Sequence, residues 1–232
     1  MRKAIDSGLG ILLILGAVCL LGPWGGAGSP APGPPVAGES RGDPARGARL
    51  FRDLDCVRCH TEPRTGQGIN VPASLQGAGS RSRAAWLTSY LQDPKPLRFR
   101  SEGVLPGLRM PALVTETRDA EDLAALLSTW RDTVLVPPIL GAEGWVEDPD
   151  DVAEGRVLFD QYQCRGCHSL DGSGGGVGPA LDGVGDRRRA AYVAALLVDP
   201  DRMIPGTAME DKDLWEEEAR ALTAYLMTLR GR

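Results

Sequence analysis

Cys56-Val57-Arg58-Cys59-His60 is a pentapeptide that the chain repeats as Cys164-Arg165-Gly166-Cys167-His168. The pattern C-x-x-C-H is the attachment signature of c-type haem. Two thiols on one turn of helix can form thioethers with the two vinyl groups of a haem. The histidine that follows is then held under the iron as its proximal ligand. The repeat therefore predicts two covalently bound haem c groups, attached through Cys56, Cys59, Cys164 and Cys167.

Two other uses of a C-x-x-C pair are a redox disulfide and half of a zinc site. A redox pair needs no histidine directly after the second cysteine, and a zinc site would need further ligands. The chain has only two histidines, His60 and His168, and both lie inside the pentapeptides. The fifth cysteine is Cys19, so no intramolecular disulfide can form once both haems are attached. The pattern favours haem over either alternative.

Length and composition agree with domains built around a cofactor. The chain has 232 residues, of which 5% are aromatic, with 30 glycines and 18 prolines. One or two loop-rich domains of this size would struggle to form a core from protein alone, and a haem supplies a large apolar plate. The formal net charge of −5 is unevenly distributed, with +3 at 41–132 and −8 at 143–232. This asymmetry indicates either partners of different charge or two ordinary solvated surfaces.

The first 42 residues predict export. Arg2 and Lys3 precede an apolar run at 9–22, which Pro23 closes. We interpret residues 1–28 as a signal peptide or a membrane anchor, with lipidation at Cys19 as a third alternative. The Pro/Gly-rich segment 29–42 is predicted to be a flexible tether. All three alternatives imply export, which agrees with where c-type haem is attached in bacteria.

The similarity between the two halves extends beyond the pentapeptides. Residues 44–51 match residues 152–159, and both contain Gly-x-x-x-Phe with the phenylalanine five positions before the first cysteine. Gly and Phe four residues apart share one helical face, where the glycine permits close approach of another helix. The predicted organisation is a first domain at 43–135, a linker at 136–151 and a second domain at 152–232.

Each half also predicts two later helices. The stretches 83–92 and 189–198 are helical in pattern and end in Asp-Pro, which stops a helix. The closing amphipathic helices are predicted at about 119–133 and 213–230. Their N-caps are predicted at Asp119 and Asp213.

Each half resembles a class I cytochrome c domain, and the whole resembles the two-haem cytochromes c of bacteria. The second half matches more closely. It contains, in the family's order, Gly155-x-x-x-Phe159, the pentapeptide, Gly178-Pro179-Ala180-Leu181, Asp199-Pro200 and Ile204-Pro205-Gly206-Thr207-Ala208-Met209. The resemblance implies an all-α fold of two tandem domains, each a small helical domain wrapped around a covalent haem, after an N-terminal signal or anchor helix.

The resemblance also implies the iron ligands, with His60 and His168 on the proximal side. In the family the methionine of P-G-T-x-M is the distal ligand, which points to Met209; Met203 is the competitor. In the first half Met110 precedes a proline, a common ligand context in the bacterial family. The carbonyl of Pro179 would accept a hydrogen bond from the ring of His168 and fix that ligand.

The first half departs from this pattern in two places. Val71-Pro72-Ala73-Ser74-Leu75 stands where the second half has Gly-Pro-Ala-Leu, so Pro72 takes the position of Pro179. The methionine loop is also longer, because Met110 follows His60 by 50 positions where Met209 follows His168 by 41. Tyr90 falls where several family members have a tyrosine near the methionine sulfur; a plain core tyrosine fits the sequence equally well.

The ligand set indicates function. Both histidines serve as proximal ligands, which excludes bis-histidine ligation within the chain. Methionine ligation closes the sixth position of the iron, raises its potential and suits outer-sphere electron transfer. We therefore predict an electron-transfer protein, not an enzyme in itself, that passes single electrons between redox protein partners. The alternative is a haem enzyme subunit or a gas or redox sensor with one open iron.

The same interpretation gives a location and a set of partners. We predict the periplasmic side of the bacterial inner membrane, either soluble or anchored through residues 9–22. Donor and acceptor are expected to be redox proteins, and we expect no nucleic-acid partner.

Overall fold

The computed structural model of the chain describes residues 41–60, 74–95, 110–132 and 147–231. Residues 1–28, most of the predicted tether at 29–42, Pro72 and most of the predicted linker at 136–151 lie outside the described residues. Within these four ranges, no helix has the length and apolar character needed to cross a membrane.

The first half contributes four α-helices to its described part: α1 Pro44–Asp53, α2 Ala78–Arg81, α3 Ala84–Gln92 and α4 Thr117–Thr129. Helix α1 starts at an Asp-Pro pair. The Asp43 carboxylate accepts a hydrogen bond from Ala45 N (2.8 Å), while Pro44 at the first helical position has no N–H that needs a partner. A short 3-10 turn at Cys56–Arg58 carries the first pentapeptide.

The second half repeats this order. It comprises α5 Pro149–Gln161, a 3-10 turn at Cys164–Gly166, α6 Val184–Arg187, α7 Ala190–Val198, α8 Pro200–Met203 and α9 Glu216–Thr228. Helix α5 begins with the same Asp-Pro signal, since Asp148 accepts from Asp150 N (2.8 Å). The helix starts at Pro149, within the segment predicted as linker. A small antiparallel hairpin of β1 Ser169–Leu170 and β2 Ser173–Gly174 follows the second pentapeptide. Apart from this hairpin and one isolated β-bridge, the secondary structure of the described residues is helical, which agrees with the predicted all-α fold.

Of the two closing helices, α4 starts two residues earlier than predicted and α9 starts three residues later. Neither predicted N-cap is correct. Helix α4 begins at Thr117, and Asp119 lies inside its first turn, where it forms an ion pair with Arg46. Helix α9 begins at Glu216, and Asp213, three residues earlier, has a left-handed φ of 49° instead of the extended backbone typical of an N-cap. The N-cap positions are occupied by Glu116 and Trp215, neither of which makes a side-chain cap.

The first and last helices of each half cross at a glycine, as the Gly-x-x-x-Phe pattern predicted. In the second half a Cβ added to Gly155 would overlap the carbonyl oxygen of Ala221 in α9, so only glycine allows this approach. The ring of Phe159 lies 5.4 Å from that of Tyr225 across the same crossing. Gly47 has the equivalent place against Asp122 in α4.

Gly155→Ala should therefore destabilise the second half by about 2 kcal/mol or more, because the new methyl group pushes two packed backbones apart. Chemical denaturation followed by circular dichroism of the haem-loaded protein measures the change. Gly166→Ala is the matched control, since a Cβ there meets nothing within 4 Å and Arg58 occupies the corresponding position of the first half. Equal stability of the two variants would contradict this account of the crossing.

Each half has its own apolar core. In the first half Leu87, Leu91, Val114, Leu123 and Leu127 form the centre of a cluster of buried residues. The second is built around Leu158, Phe159, Leu222, Leu226 and Met227. Chain segment 36–232 nevertheless forms one compact unit.

The two halves meet through equivalent segments. Ser82 and Arg188 occupy the same position in the two repeats and form an antiparallel β-bridge. The residues on either side exchange backbone hydrogen bonds of 3.1 and 3.2 Å, Arg83 N with Arg187 O and Arg189 N with Arg81 O. Because the bonds are reciprocal, the contact has approximate twofold symmetry at this point.

The side chain of Arg188 reinforces this contact. Its guanidinium donates a hydrogen bond to Oγ of the buried Ser82 (2.8 Å). It also lies over the rings of Trp86 and Tyr192, 5.8 and 5.5 Å from their centroids. These are cation–π distances, and the two rings occupy equivalent positions of the repeat. One arginine thus joins aromatic side chains from both halves.

Arg188→Ala is expected to weaken the contact between the halves by about 1–2 kcal/mol, because it removes a hydrogen bond and two cation–π contacts. Scanning calorimetry of the haem-loaded protein should then resolve two unfolding transitions where the parent shows one. Arg156→Ala, on the exposed side of α5, is the control and should retain the parent's single transition. A single transition for Arg188→Ala would show that this side chain does not couple the halves.

Candidate haem sites

The two pentapeptides have the same backbone conformation. Each begins in a 3-10 turn. Directly after the turn, the histidine N–H donates to the carbonyl of the first cysteine, at 2.9 Å for His60 and 3.0 Å for His168. The residue before each turn has a left-handed φ, 52° at Asp55 and 53° at Gln163. Such a φ costs a non-glycine residue on the order of 1 kcal/mol. Its presence at both sites indicates that the turn geometry itself is required.

The four motif thiols differ in their exposure to solvent. Cys56 and Cys164 are half-buried, whereas Cys59 and Cys167 are exposed, and no disulfide joins any of them. Burial raises the pKa of the Cys56 and Cys164 thiols. A redox C-x-x-C pair has the opposite property, a lowered pKa that creates a thiolate. The burial of Cys56 and Cys164 therefore does not provide the lowered pKa on which a dithiol redox centre depends.

The motif side chains are also not gathered around a single point. Nowhere in the described part of the chain do three or more His, Cys, Asp or Glu side chains come close enough to share a metal ion. In haem attachment the two sulfurs bond to porphyrin substituents and only the histidine reaches the metal. The arrangement of each C-x-x-C-H turn is thus compatible with haem attachment.

The ring of His168 is fixed from two sides. Its Nδ1 lies 2.8 Å from the carbonyl oxygen of Pro179, within hydrogen-bond distance. When Nδ1 carries the proton and donates it to that carbonyl, Nε2 keeps its lone pair for a metal. Gly178 lies against the same ring, and a Cβ at this position would overlap it. The Gly-Pro pair therefore holds the histidine in one orientation.

The first half lacks a described counterpart of this contact. His60 is half-buried at the end of its turn. Residues 61–73, which include Pro72, are outside the described ranges, so the predicted support of His60 by Pro72 stays a prediction.

The two predicted methionine ligands occupy matching positions. Met110 packs against the apolar cluster of the first half, and Met209 packs against that of the second, each partly exposed at the edge of the cluster. The backbone N–H of Met209 donates to Thr207 Oγ1 (3.2 Å), which is consistent with a fixed loop. Met203 lies at the end of the short helix α8, before this loop. The equivalence with Met110 favours Met209 as the ligand.

Tyr90 has a different described neighbour from the one suggested by the family. Its ring stacks on Trp86 with centroids 4.8 Å apart. Burial raises the pKa of its hydroxyl. Through Trp86, Tyr90 connects to the contact between the halves.

The described residues of the second half fit a haem. Cys164 and Met209 pack against one apolar cluster. A c-type haem uses a cysteine thiol for attachment to the porphyrin, and an imidazole and a methionine sulfur as iron ligands. Cys164, the oriented His168 and Met209 are groups of these kinds. The sequence did not predict the contact of Arg188 with Ser82 and Trp86. The only feature of the sequence that pointed to this contact was the match of Arg-Ser-Arg-Ala-Ala-Trp (81–86) to Arg-Arg-Arg-Ala-Ala-Tyr (187–192).

Fold and motif geometry thus fit a haem-binding protein of the c type. The family model described as Cytochrome c matches residues 44–130 and 152–230. The chain belongs to the cytochrome c family, whose members bind haem c covalently and transfer electrons.

A curated relative shows a more distant similarity. The chain is 33% identical over 101 residues to the cytochrome c oxidase subunit 2 of Alkalihalophilus pseudofirmus (strain OF4). The match covers 39% of this chain and 30% of that protein. The chain therefore spans less than a third of the length of that relative.

Proposed function

We propose that this protein is a dihaem c-type cytochrome that carries single electrons between two redox proteins outside the cytoplasm. The observation that carries the proposal is the repetition of one strained turn, since Asp55 and Gln163 hold the same left-handed φ before the same Cys-x-x-Cys-His sequence. A chance motif would not conserve that backbone within a chain. Two attachment turns support two covalent haem groups.

The protein's contribution to electron transfer is to hold and insulate the cofactor. A bound haem supplies a reversible one-electron change at its iron. The cysteines of each turn fix the group covalently, and Pro179 orients His168 through Nδ1. Met209 would serve as the second protein ligand of the iron, which would raise the potential and leave no open coordination site. The apolar clusters keep water away, so little reorganisation accompanies each electron.

Location and anchoring form part of the proposal. Haem attachment after export places both halves on the periplasmic side of the inner membrane, and residues 9–22 would tether the protein there if the leader is retained. The similarity to an oxidase subunit 2 supports a place beside, or within, a membrane-bound oxidoreductase. In either case the chain delivers electrons and does not itself transform a substrate.

The alternative function is a haem enzyme subunit or sensor in which one iron lacks its methionine. The first half is where this would arise, because its methionine loop is longer. An open iron binds carbon monoxide, whereas a methionine-ligated iron resists it. The two functions are therefore separable by optical spectroscopy.

The experiment is to produce the full chain in cells with a c-type haem attachment system and to measure its intact mass and spectra. The mass should exceed that of the polypeptide by two haem units, and carbon monoxide should leave the reduced spectrum unchanged. One haem unit, or haem that acid–acetone extracts, would contradict the dihaem proposal. A carbon monoxide shift of half the absorbance would favour the sensor alternative.

A further inference from the structure

Trp215 occupies a position that the helix does not explain. It is the N-cap of α9 and is 75% exposed, the most exposed of the large apolar side chains in the described ranges. N-caps favour Ser, Thr, Asp or Asn, whose side chains accept a hydrogen bond from the first turn. An indole cannot do so; instead the backbone N–H of Trp215 donates to Glu218 (2.9 Å). The equivalent residue of the first half is Glu116.

The segment that carries Trp215 lies beside the second attachment turn. Tyr162, two residues before Cys164, donates its hydroxyl to Glu218 Oε1 (2.9 Å). Leu214 and Cys164 pack against the same apolar cluster. The exposed indole is therefore close to the edge at which the second haem is attached.

The surroundings of the indole are strongly acidic. Residues 210–218 contain six carboxylates and one lysine. Lys212 forms an ion pair with Glu210 (2.6 Å), so it neutralises one of the six. We call the remaining exposed set, together with the indole, the Trp215 surface: Trp215, Asp211, Asp213, Glu216 and Glu217.

An exposed indole in an acidic stretch of the chain has the composition of a protein docking site. Tryptophan is enriched among the residues that dominate binding energy at interfaces, and it acts where a rim of polar groups surrounds it. The charges around it select the sign of the partner, because opposite potentials accelerate encounter and like potentials suppress it. A rim of four carboxylates fits a positively charged protein.

We propose that the Trp215 surface is where a basic redox protein docks to exchange one electron with the second haem. This inference rests on the proposed function. The step is a single outer-sphere electron transfer: one centre loses an electron, the other gains it, and no bond is formed or broken. At the equivalent position the first half has the polar Glu116, so we assign this docking surface to the second half.

The test is stopped-flow mixing of the reduced, haem-loaded full chain with an oxidised, lysine-rich mitochondrial cytochrome c as the basic probe. The bimolecular rate constant should fall as ionic strength rises, since salt screens the attraction. Trp215→Ala should lower the rate constant about tenfold, the loss typical of an interface anchor. Glu216→Gln with Glu217→Gln should weaken the salt dependence. Glu116→Gln, at the equivalent position, is the matched control and should react like the parent.

The variants must first show the parent's haem content and optical spectrum, which establishes that the site is intact. A parent rate constant that rises with ionic strength, or a Trp215→Ala variant that reacts as fast as the parent, would overturn the inference. Ferricyanide, a small oxidant that needs no docking site, distinguishes a failure of the docking site from a failure of the proposed function. If ferricyanide oxidises the parent, and the basic probe oxidises Trp215→Ala as fast as the parent, only the proposed docking site is wrong. If neither oxidant takes an electron from the parent, the proposed function fails and the docking site with it.

Discussion

Replacing Cys56 and Cys59 together by serine should remove one haem unit from the intact mass and unfold the first half. The physical reason is that its apolar cluster, centred on Leu87, Leu123 and Leu127, is small, and a covalent haem supplies much of the remaining buried surface. The second half, with its own cluster, should keep its haem and its helices. Native mass spectrometry and far-ultraviolet circular dichroism measure both results.

The chain offers a matched control for this variant. Cys19→Ser removes a cysteine that lies outside both pentapeptides, so it should leave two haem units in place. A double-serine variant whose first half folds without haem would refute the idea that the cofactor completes the core. Loss of both haems would show instead that the contact through Ser82 and Arg188 makes the halves fold as one unit.

Met209→Ala should open the iron of the second half and lower its reduction potential by roughly a tenth of a volt or more, within the ~0.8 V range that axial ligands control. The ferric protein should lose the half of the weak far-red absorption band that belongs to the second haem, and the ferrous protein should bind one carbon monoxide per chain. Spectroelectrochemistry and carbon monoxide titration provide the measurements. Met110→Ala should have the same effect on the first half.

Met203→Ala is the control for that assignment, because Met203 precedes the Pro-Gly-Thr loop and lies at the end of α8. Its spectrum and potential should match those of the parent. If Met203→Ala loses the second haem's part of the far-red band and Met209→Ala retains it, the distal ligand has been assigned to the wrong methionine.

Local signals explain what the sequence predicted well. Helices α3 and α7 start and end within a residue of their predicted positions, because Asp-Pro at 93–94 and 199–200 terminates each one. The close crossing at Gly155 was predictable since glycine and phenylalanine four residues apart share a face. The hydrogen-bond distance between His168 and Pro179 agrees with the geometry that the family resemblance implied.

Features that depend on distant parts of the chain were not predictable. Helix α9 starts three residues later than predicted, because Trp215 and not Asp213 is its N-cap. Asp213 has a left-handed φ, and no local preference favours a tryptophan at an N-cap. The reciprocal bridge of Ser82 with Arg188 joins residues 106 positions apart. A run of three arginines gives no indication that one of them inserts between aromatic rings of different halves. Tertiary contact decided both features.

The central claim is that one chain holds two redox-active haems with closed, histidine–methionine coordination. An optical redox titration of the purified, haem-loaded protein tests it most directly. The account predicts the reversible uptake of two electrons per chain, with low-spin spectra in both oxidation states and a potential typical of methionine ligation. Uptake of one electron per chain, or a high-spin component that accounts for one of the two haems, would contradict it.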